Sequence, residues 1–333
     1  MNREFYEGFE TRDLSLWDGV LGSVGSVSFP SGISGMNGYC LHLGQGVGGG
    51  IWRWMAPAQE RYYHVKFRPT FTSPARAGIF EFYSGSTLLL KVKRDWDSGI
   101  GDWALGVWNA SDVRIASTGI PFPSDRTYRI EVYHKVHPTQ GMVQVRVDGD
   151  EQISFFGNTT SGSITTCNKL KLACDSSYDY PYFDDLVTDL EEWVGEAHLG
   201  FLRPIGEGSS SQWTPSSPPG WACVDETPVS SVDFVKTLTE ALDLYQFSDP
   251  PGLGSNVVKG LQYQLLGALT GNPAAAYFRQ VLKSNGIIDE GDRKQLPLAQ
   301  KPVFRMLMLN PTTNRRFTEF DLVNLELGLK AES

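Results

Sequence analysis

TYRIEVYH at residues 127–134 and MVQVRVDG at residues 142–149 alternate polar and apolar side chains. Successive side chains on a strand point to opposite faces, so Val143, Val145 and Val147 share one face and Gln144 and Arg146 the other. The first run sets Tyr128, Ile130 and Val132 against their alternates in the same way. Such a period describes an antiparallel sheet packed on one side and wet on the other. Asp148-Gly149 then predicts a tight turn, because glycine accepts positive φ without a Cβ clash.

The same reading extends outward from these two runs. Tyr62 to Arg68 alternates and stops at Pro69. Gly78 to Tyr83, then Ser84-Gly85-Ser86, then Leu88 to Lys93 predicts a hairpin. Trp103 to Trp108 and Val113 to Ala116 flank another turn. Many short strands separated by turns every eight to twelve residues predict an antiparallel sandwich over residues 1–190. Residues 191–230 are rich in Gly, Ser and Pro and read as a connector, although Trp193, Phe201, Trp213 and Trp221 require packing. Residues 231–333 predict a second, smaller β-sandwich, with an α+β unit as the alternative. Its strands fall near residues 244–247, 260–266, 277–283, 303–309 and 325–329, with one helical turn over 317–322 capped by Thr318.

The 333 residues are 41% hydrophobic, 12% aromatic and 20% charged, a globular composition long enough to bury a substantial core. Net charge is −9, and the basic pairs Arg315–Arg316 and Lys91–Lys93 are local, so nucleic acid and anionic membranes are disfavoured as partners. Neutral sugars, cations and other proteins stay open. The four cysteines, at 40, 167, 174 and 223, form no CxxC pair, which argues against zinc ribbons and thioredoxin-like sites and points to assembly in a reducing cytoplasm. Cys167 and Cys174 are the one spacing compatible with a hairpin disulfide. The beginning MNREFYEGFE has no basic segment followed by an apolar run, and no run of 18 apolar residues exists, so neither a secretory signal nor a membrane span is expected.

The two opening runs resemble the signature of concanavalin A-like, laminin-G-type jelly rolls. Gly8-Phe9-Glu10 and Tyr182-Phe183-Asp184-Asp185-Leu186-Val187 resemble that family's first and last strands, which pair as neighbours. The resemblance implies an all-β chain, an antiparallel jelly-roll sandwich followed by the smaller β-sandwich. Trp213-Thr214-Pro215, Trp221, Val224-Asp225-Glu226, Asp243 to Phe247 and Phe317 to Gly328 resemble the carboxy-terminal part of a group of tailed-bacteriophage virion proteins, with Phe317 where that group usually has Trp. That resemblance implies a fibre, spike or decoration protein of the phage head or tail, made in the host cytoplasm and carried on the virion. It implies other virion proteins as partners and a homo-oligomer, with a trimer favoured. A host-surface glycan is the expected ligand of the lectin-like domain.

Jelly rolls of the family that the chain resembles include glycoside hydrolases, so catalytic carboxylates are one expectation the resemblance raises. Retaining hydrolysis needs two carboxyl groups about 5–5.5 Å apart, which on a strand predicts an E-x-D-x-E pattern. None occurs, and the adjacent pairs Asp184–Asp185 and Glu191–Glu192 fall on opposite faces of an ideal strand. The expectation is therefore a protein without catalytic activity, with a cellular carbohydrate-binding module and a glycoside hydrolase as the alternatives. Trp96, Trp108, Asn109 and Asp112 lie near predicted turns and are the candidate glycan-binding residues, because sugar C–H faces stack on indoles while Asp and Asn accept from hydroxyls. Trp103 reads as core. Asp95, Asp97 and Asp102 around Gly99 and Gly101 are candidate Ca2+ ligands, although the EF-hand spacing fails at Gly106; no other cofactor is expected. His134 and His137 read as solvated hairpin histidines, and the glycine-rich residues 44–50 lack the following helix that a phosphate cradle needs.

Overall fold

The two alternating runs pair antiparallel, with Ile130 opposite Val147 and Val132 opposite Val145. Asp148 and Gly149 turn the chain at φ +54° and +101°, as their sequence requires. These positions come from a computed structural model that describes residues 3–21, 26–44, 49–70, 76–124, 126–174, 180–230, 232–250, 252, 257–270 and 276–333. Residues 45–48 of the glycine-rich segment lie outside the described residues. The chain divides into two units, Met1–Leu199 and Gly200–Ser333.

The strands of the first unit are β1 (Arg3–Glu7), β2 (Gly19–Leu21), β3 (Val27–Ser28), β4 (Leu41–Leu43), β5 (Gly49–Ala58), β6 (Glu60–Arg68), β7 (Ala77–Ser84), β8 (Thr87–Asp97), β9 (Asp102–Asn109), β10 (Arg114–Ser117), β11 (Tyr128–Lys135), β12 (Gly141–Val147), β13 (Asp150–Gly157), β14 (Cys167–Cys174) and β15 (Tyr182–Asp189). Among the described residues they form two antiparallel sheets. The eight-stranded sheet runs β13-β12-β11-β6-β15-β4-β3, with β1 also on β15, and the seven-stranded sheet runs β10-β9-β8-β7-β14-β5-β2. The first and last strands are neighbours, Tyr6 opposite Val187, although the first strand is Arg3–Glu7 and Phe9 lies just beyond it, fully buried.

The core fills from the inward alternates of both sheets. Tyr63, Val65 and Phe67 of β6 meet Phe80 and Phe82 of β7 and Leu170 and Leu172 of β14, all buried. Tyr63 and Phe82 touch across the sandwich with ring centroids 4.7 Å apart. Each such side chain contributes about 1.5–3 kcal/mol by leaving water.

His134 belongs to this core, against the expectation of a solvated histidine. It packs on the Phe82 ring at 5.1 Å, and burial pushes its imidazole down to about 4. His137 instead caps a turn, its Nδ1 accepting from the amides of Thr139 and Gln140. Cys167 and Cys174 stand at opposite ends of β14 and form no disulfide with each other.

The second unit comprises β16 (Pro204–Ser211), β17 (Thr214–Pro215), β18 (Val235–Lys236), β19 (Ala241–Phe247), β20 (Leu261–Gly267), β21 (Tyr277–Ser284), β22 (Ile287–Glu290), β23 (Lys294–Gln295), β24 (Lys301–Leu307), helix α1 (Glu319–Val323) and β25 (Glu326–Glu332). A six-stranded sheet runs β16-β19-β25-β21-β22 with β23 on β21, and β20 and β24 form a separate ribbon. Tyr263 and Leu307 of the ribbon pack with Leu282 and Leu327 of the sheet and with Phe317 and Leu322 around the helix. Thr318 caps that helix in a reciprocal box: its hydroxyl accepts from the Asp321 amide while the Asp321 carboxylate accepts from the Thr318 amide. The protein is thus all-β, an antiparallel jelly-roll sandwich followed by a smaller β-sandwich.

Residues 191–230, read as connector from composition, are ordered. Trp193 packs edge-on against Tyr62 at 5.2 Å in the first unit, and residues 204–211 form β16 on β19. Ring packing and backbone pairing make these contacts, so composition alone does not report them.

Candidate functional site

The outer face of the seven-stranded sheet carries one row of side chains that five strands bring into register. Trp52 of β5 lies opposite Lys171 of β14, Lys171 opposite Glu81 of β7, Glu81 opposite Lys91 of β8, and Lys91 opposite Trp108 of β9. Four strand spacings of about 4.8 Å put the two tryptophans roughly 19 Å apart. A second row beside it reads Trp54, Lys169, Tyr83. The irregularity between Cys167 and Lys169 turns Lys169 and Lys171 outward while Leu170 and Leu172 face the core.

Glycines make room for the indoles. A Cβ on Gly106 would stand 2.8 Å from the Trp108 ring, and one on Gly19 would stand 3.1 Å from the Trp52 ring. Both rings therefore lie close over the sheet.

This face carries both signs of charge: Lys91, Lys93, Lys169 and Lys171 stand with Glu81 and Asp112 and, further along β8, with Asp95 and Asp97. Lys171 Nζ pairs with Glu81 at 3.0 Å, and the Tyr83 hydroxyl donates to the same carboxylate at 2.5 Å. Burial and the Glu81 charge push the Tyr83 hydroxyl well above its ordinary pKa, so it stays protonated and can donate. Lys93 and Lys91 donate to Asp112 Oδ1 at 3.0 and 3.2 Å. The Lys93 hydrogen bond, with the charge of Lys91, holds Asp112 below the usual carboxylate range despite its partial burial.

Lys169 differs from its neighbours. Its Nζ sits 4.4 Å from the Tyr83 ring centre, 5.2 Å from Trp54 and 5.6 Å from Trp52, and among the described residues no carboxylate lies within ion-pair distance. The residue is 8% exposed, whereas Trp54 beside it is 45% exposed. Burial, then the Lys171 charge, lowers its affinity for the proton. An aromatic-walled ammonium facing outward is equipped to receive an anion whose rings stack on the indoles.

The residues singled out from sequence separate. Trp108 and Asp112 meet on this face, bridged by Lys93, whose Nζ lies 4.7 Å from the Trp108 ring. Asn109 organises the adjoining turn, its side-chain oxygen accepting from the amides of Ser111 and Val113. Trp96 stands at the far end of the β8–β9 hairpin, opposite Trp103 and on the other face of the strand from Lys91 and Lys93. Trp103 is half-buried and lies under the Arg94 guanidinium at 4.8 Å.

Asp95, Asp97 and Asp102 do not converge on a common point. Asp95 pairs with Arg76, Asp97 accepts from Ser117, Gly99 and Arg114, and Asp102 accepts from the Trp103 amide. Among the described residues no group of three His, Cys, Asp or Glu is placed to hold a metal ion. The lysines of the site escaped the sequence reading, although Lys91-Val92-Lys93, Lys169-Leu170-Lys171 and Trp52-Arg53-Trp54 each place two like residues on one strand face.

The expectation that Asp184 and Asp185 point to opposite faces fails. Asp185 has φ +50° and the register against β6 slips between Asp184 and Val187, so strict alternation is lost there. Both carboxylates are buried, and Asn37 reaches both, its backbone amide donating to Asp184 and its side chain to Asp185. Asp184 accepts from the amides of Asn37 at 2.8 Å and Asp185 at 2.7 Å, while Asp185 accepts from the Leu199 amide and the Lys66 ammonium, each at 2.8 Å. Burial and the Asp185 charge push the Asp184 carboxyl up to about 8. The pair fastens residues 37 and 199 to β15.

No protein-family model and no curated protein matches the chain. Solved structures do. The alginate lyase Aly36B in complex with alginate trisaccharide is 14% identical, over 52% of this chain and 88% of that one, at a TM-score of 0.39. The endo-beta-1,4-glucuronan lyase from the fungus Trichoderma reesei is 12% identical, over 56% and 94%, at 0.39. The potassium-bound Emp46p carbohydrate recognition domain is 12% identical, over 55% and 91%, at 0.38. Two of these three are polysaccharide lyases, which corrects the expectation of a protein without catalytic activity. The likeness is one of fold: a lectin-like jelly roll.

Proposed function

We propose that the first unit is a carbohydrate-binding jelly roll that takes its ligand on the outer face of the seven-stranded sheet. The observation that carries this reading is the cross-strand row from Trp52 to Trp108, in which indoles flank ammonium and carboxylate groups. Exposed Trp54 and half-buried Trp52 supply stacking area for sugar rings, whereas Trp108 is buried and lies under Lys93; the charged groups between them supply hydrogen bonds that fix orientation. Binding of the full chain to a panel of immobilised polysaccharides tests it. Trp54→Ala removes an exposed ring and should weaken the bound glycan about tenfold or more. Unchanged binding by that variant, or no binding to any polysaccharide, refutes the reading.

For the second unit we propose attachment of this binding unit to a larger assembly, a phage particle carrying several copies. The support is the carboxy-terminal sequence resemblance together with exposed apolar side chains there, among them Phe234, Leu298 and Phe320. Co-sedimentation of the protein with purified particles is expected, and its absence from them counts against the placement.

A further inference from the structure

We propose that the glycan is acidic and that its anionic substituent is received by the Lys169 ammonium between Trp52, Trp54 and Tyr83. This rests on the carbohydrate-binding reading and names the ligand class of the same face. Lys169 is 8% exposed, and among the described residues no carboxylate comes within ion-pair distance of its Nζ, although the Glu81 charge acts on it from further off. Cation–π contacts with three rings compensate such an ammonium only in part. Lys171, on the same face two residues along, has Glu81 as its counterion, and Lys91 and Lys93 share Asp112. The face therefore keeps one ammonium open and surrounds it with stacking surface. A neutral sugar would leave that ammonium unpaired. A carboxylate or sulfate ester projecting from a stacked ring supplies the missing charge.

The probes are polygalacturonate, the same polymer after chemical reduction of its carboxyl groups, and dextran sulfate. Affinities are measured by titration calorimetry on the full chain at about 0.15 M salt, where loose surface attraction is screened over about 8 Å. We expect polygalacturonate, dextran sulfate or both to bind at least tenfold more tightly than the reduced polymer. Preference for polygalacturonate assigns a uronate carboxylate, and preference for dextran sulfate assigns a sulfate ester. Lys169→Gln should remove that preference while Lys169→Arg retains most of it.

Equal binding of the reduced polymer and polygalacturonate, with dextran sulfate no tighter, overturns the acidic-ligand inference and leaves carbohydrate binding standing. A preference that Lys169→Gln leaves intact overturns the assignment to Lys169. Binding of none of the three overturns the inference, and the polysaccharide panel then decides the broader reading. Should Lys169→Gln fail to fold, the comparison of polymers on the native chain decides the ligand class, and Lys169→Arg decides whether the position contributes.

Discussion

Asp184 makes the stability of this protein fall as pH rises through neutrality. Its carboxyl is buried beside Asp185 and titrates at about 8 in the folded chain, against 3.8 for an unhindered aspartate. Between those values the folded protein holds a proton that the unfolded chain has released. Stability from this group is therefore complete below about pH 3.8 and is lost progressively as pH rises toward 8. At 1.36 kcal/mol per unit, the interval from pH 5 to 8 sets a ceiling of about 4 kcal/mol. Lys66, paired with Asp185 at 2.8 Å, and the amides of Asn37 and Asp185 favour the charged form, and their pull is already contained in that ceiling.

Asp184→Asn isolates the effect. The amide cannot accept from both the Asn37 and Asp185 amides, so the variant should be less stable than the native protein at pH 5, by about 1–3 kcal/mol. It carries no charge at pH 9, so the deficit should shrink or reverse there. Thermal unfolding of both full-length chains from pH 5 to 9, followed by calorimetry, reads the difference directly. At roughly 2–4 °C per kcal/mol for a unit of this size, the gap in Tm should move by several degrees across the range. A gap that stays constant from pH 5 to 9 would refute the argument, because it would mean that Asp184 is ionised throughout.

Two further substitutions probe other parts of the molecule. Thr318→Ala deletes the hydroxyl that accepts from the Asp321 amide and should cost about 1 kcal/mol in chemical denaturation of the second unit, while glycan binding is unchanged. Gly106→Ala places a methyl 2.8 Å from the Trp108 ring and 2.9 Å from the Ala116 carbonyl oxygen; it should cost about 1–3 kcal/mol and alter the tryptophan emission spectrum as the indole is displaced.

Local rules account for much of the chain. Alternation in residues 127–134 and 142–147 fixed which side chains share a face, Asp148-Gly149 fixed the turn after them, and Thr318 with Asp321 fixed the helix start. Each depends on neighbours within a few residues, where backbone stereochemistry and hydrogen bonding suffice. His134 shows the limit: a histidine in an alternating run lies inward or outward according to the strand's phase, and the packed Phe82 ring set it inward. Asp185 shows another, since its positive φ breaks the period of two that placed its carboxylate away from Asp184.

From sequence alone, the all-β class and the alternating strands were already determined, because a period of two is a property of one strand. Only tertiary structure joined positions 52, 171, 81, 91 and 108 into one row. Neighbouring strands in that sheet come from distant parts of the chain, and their order and register are set by which apolar faces pack together, a choice that no single strand records.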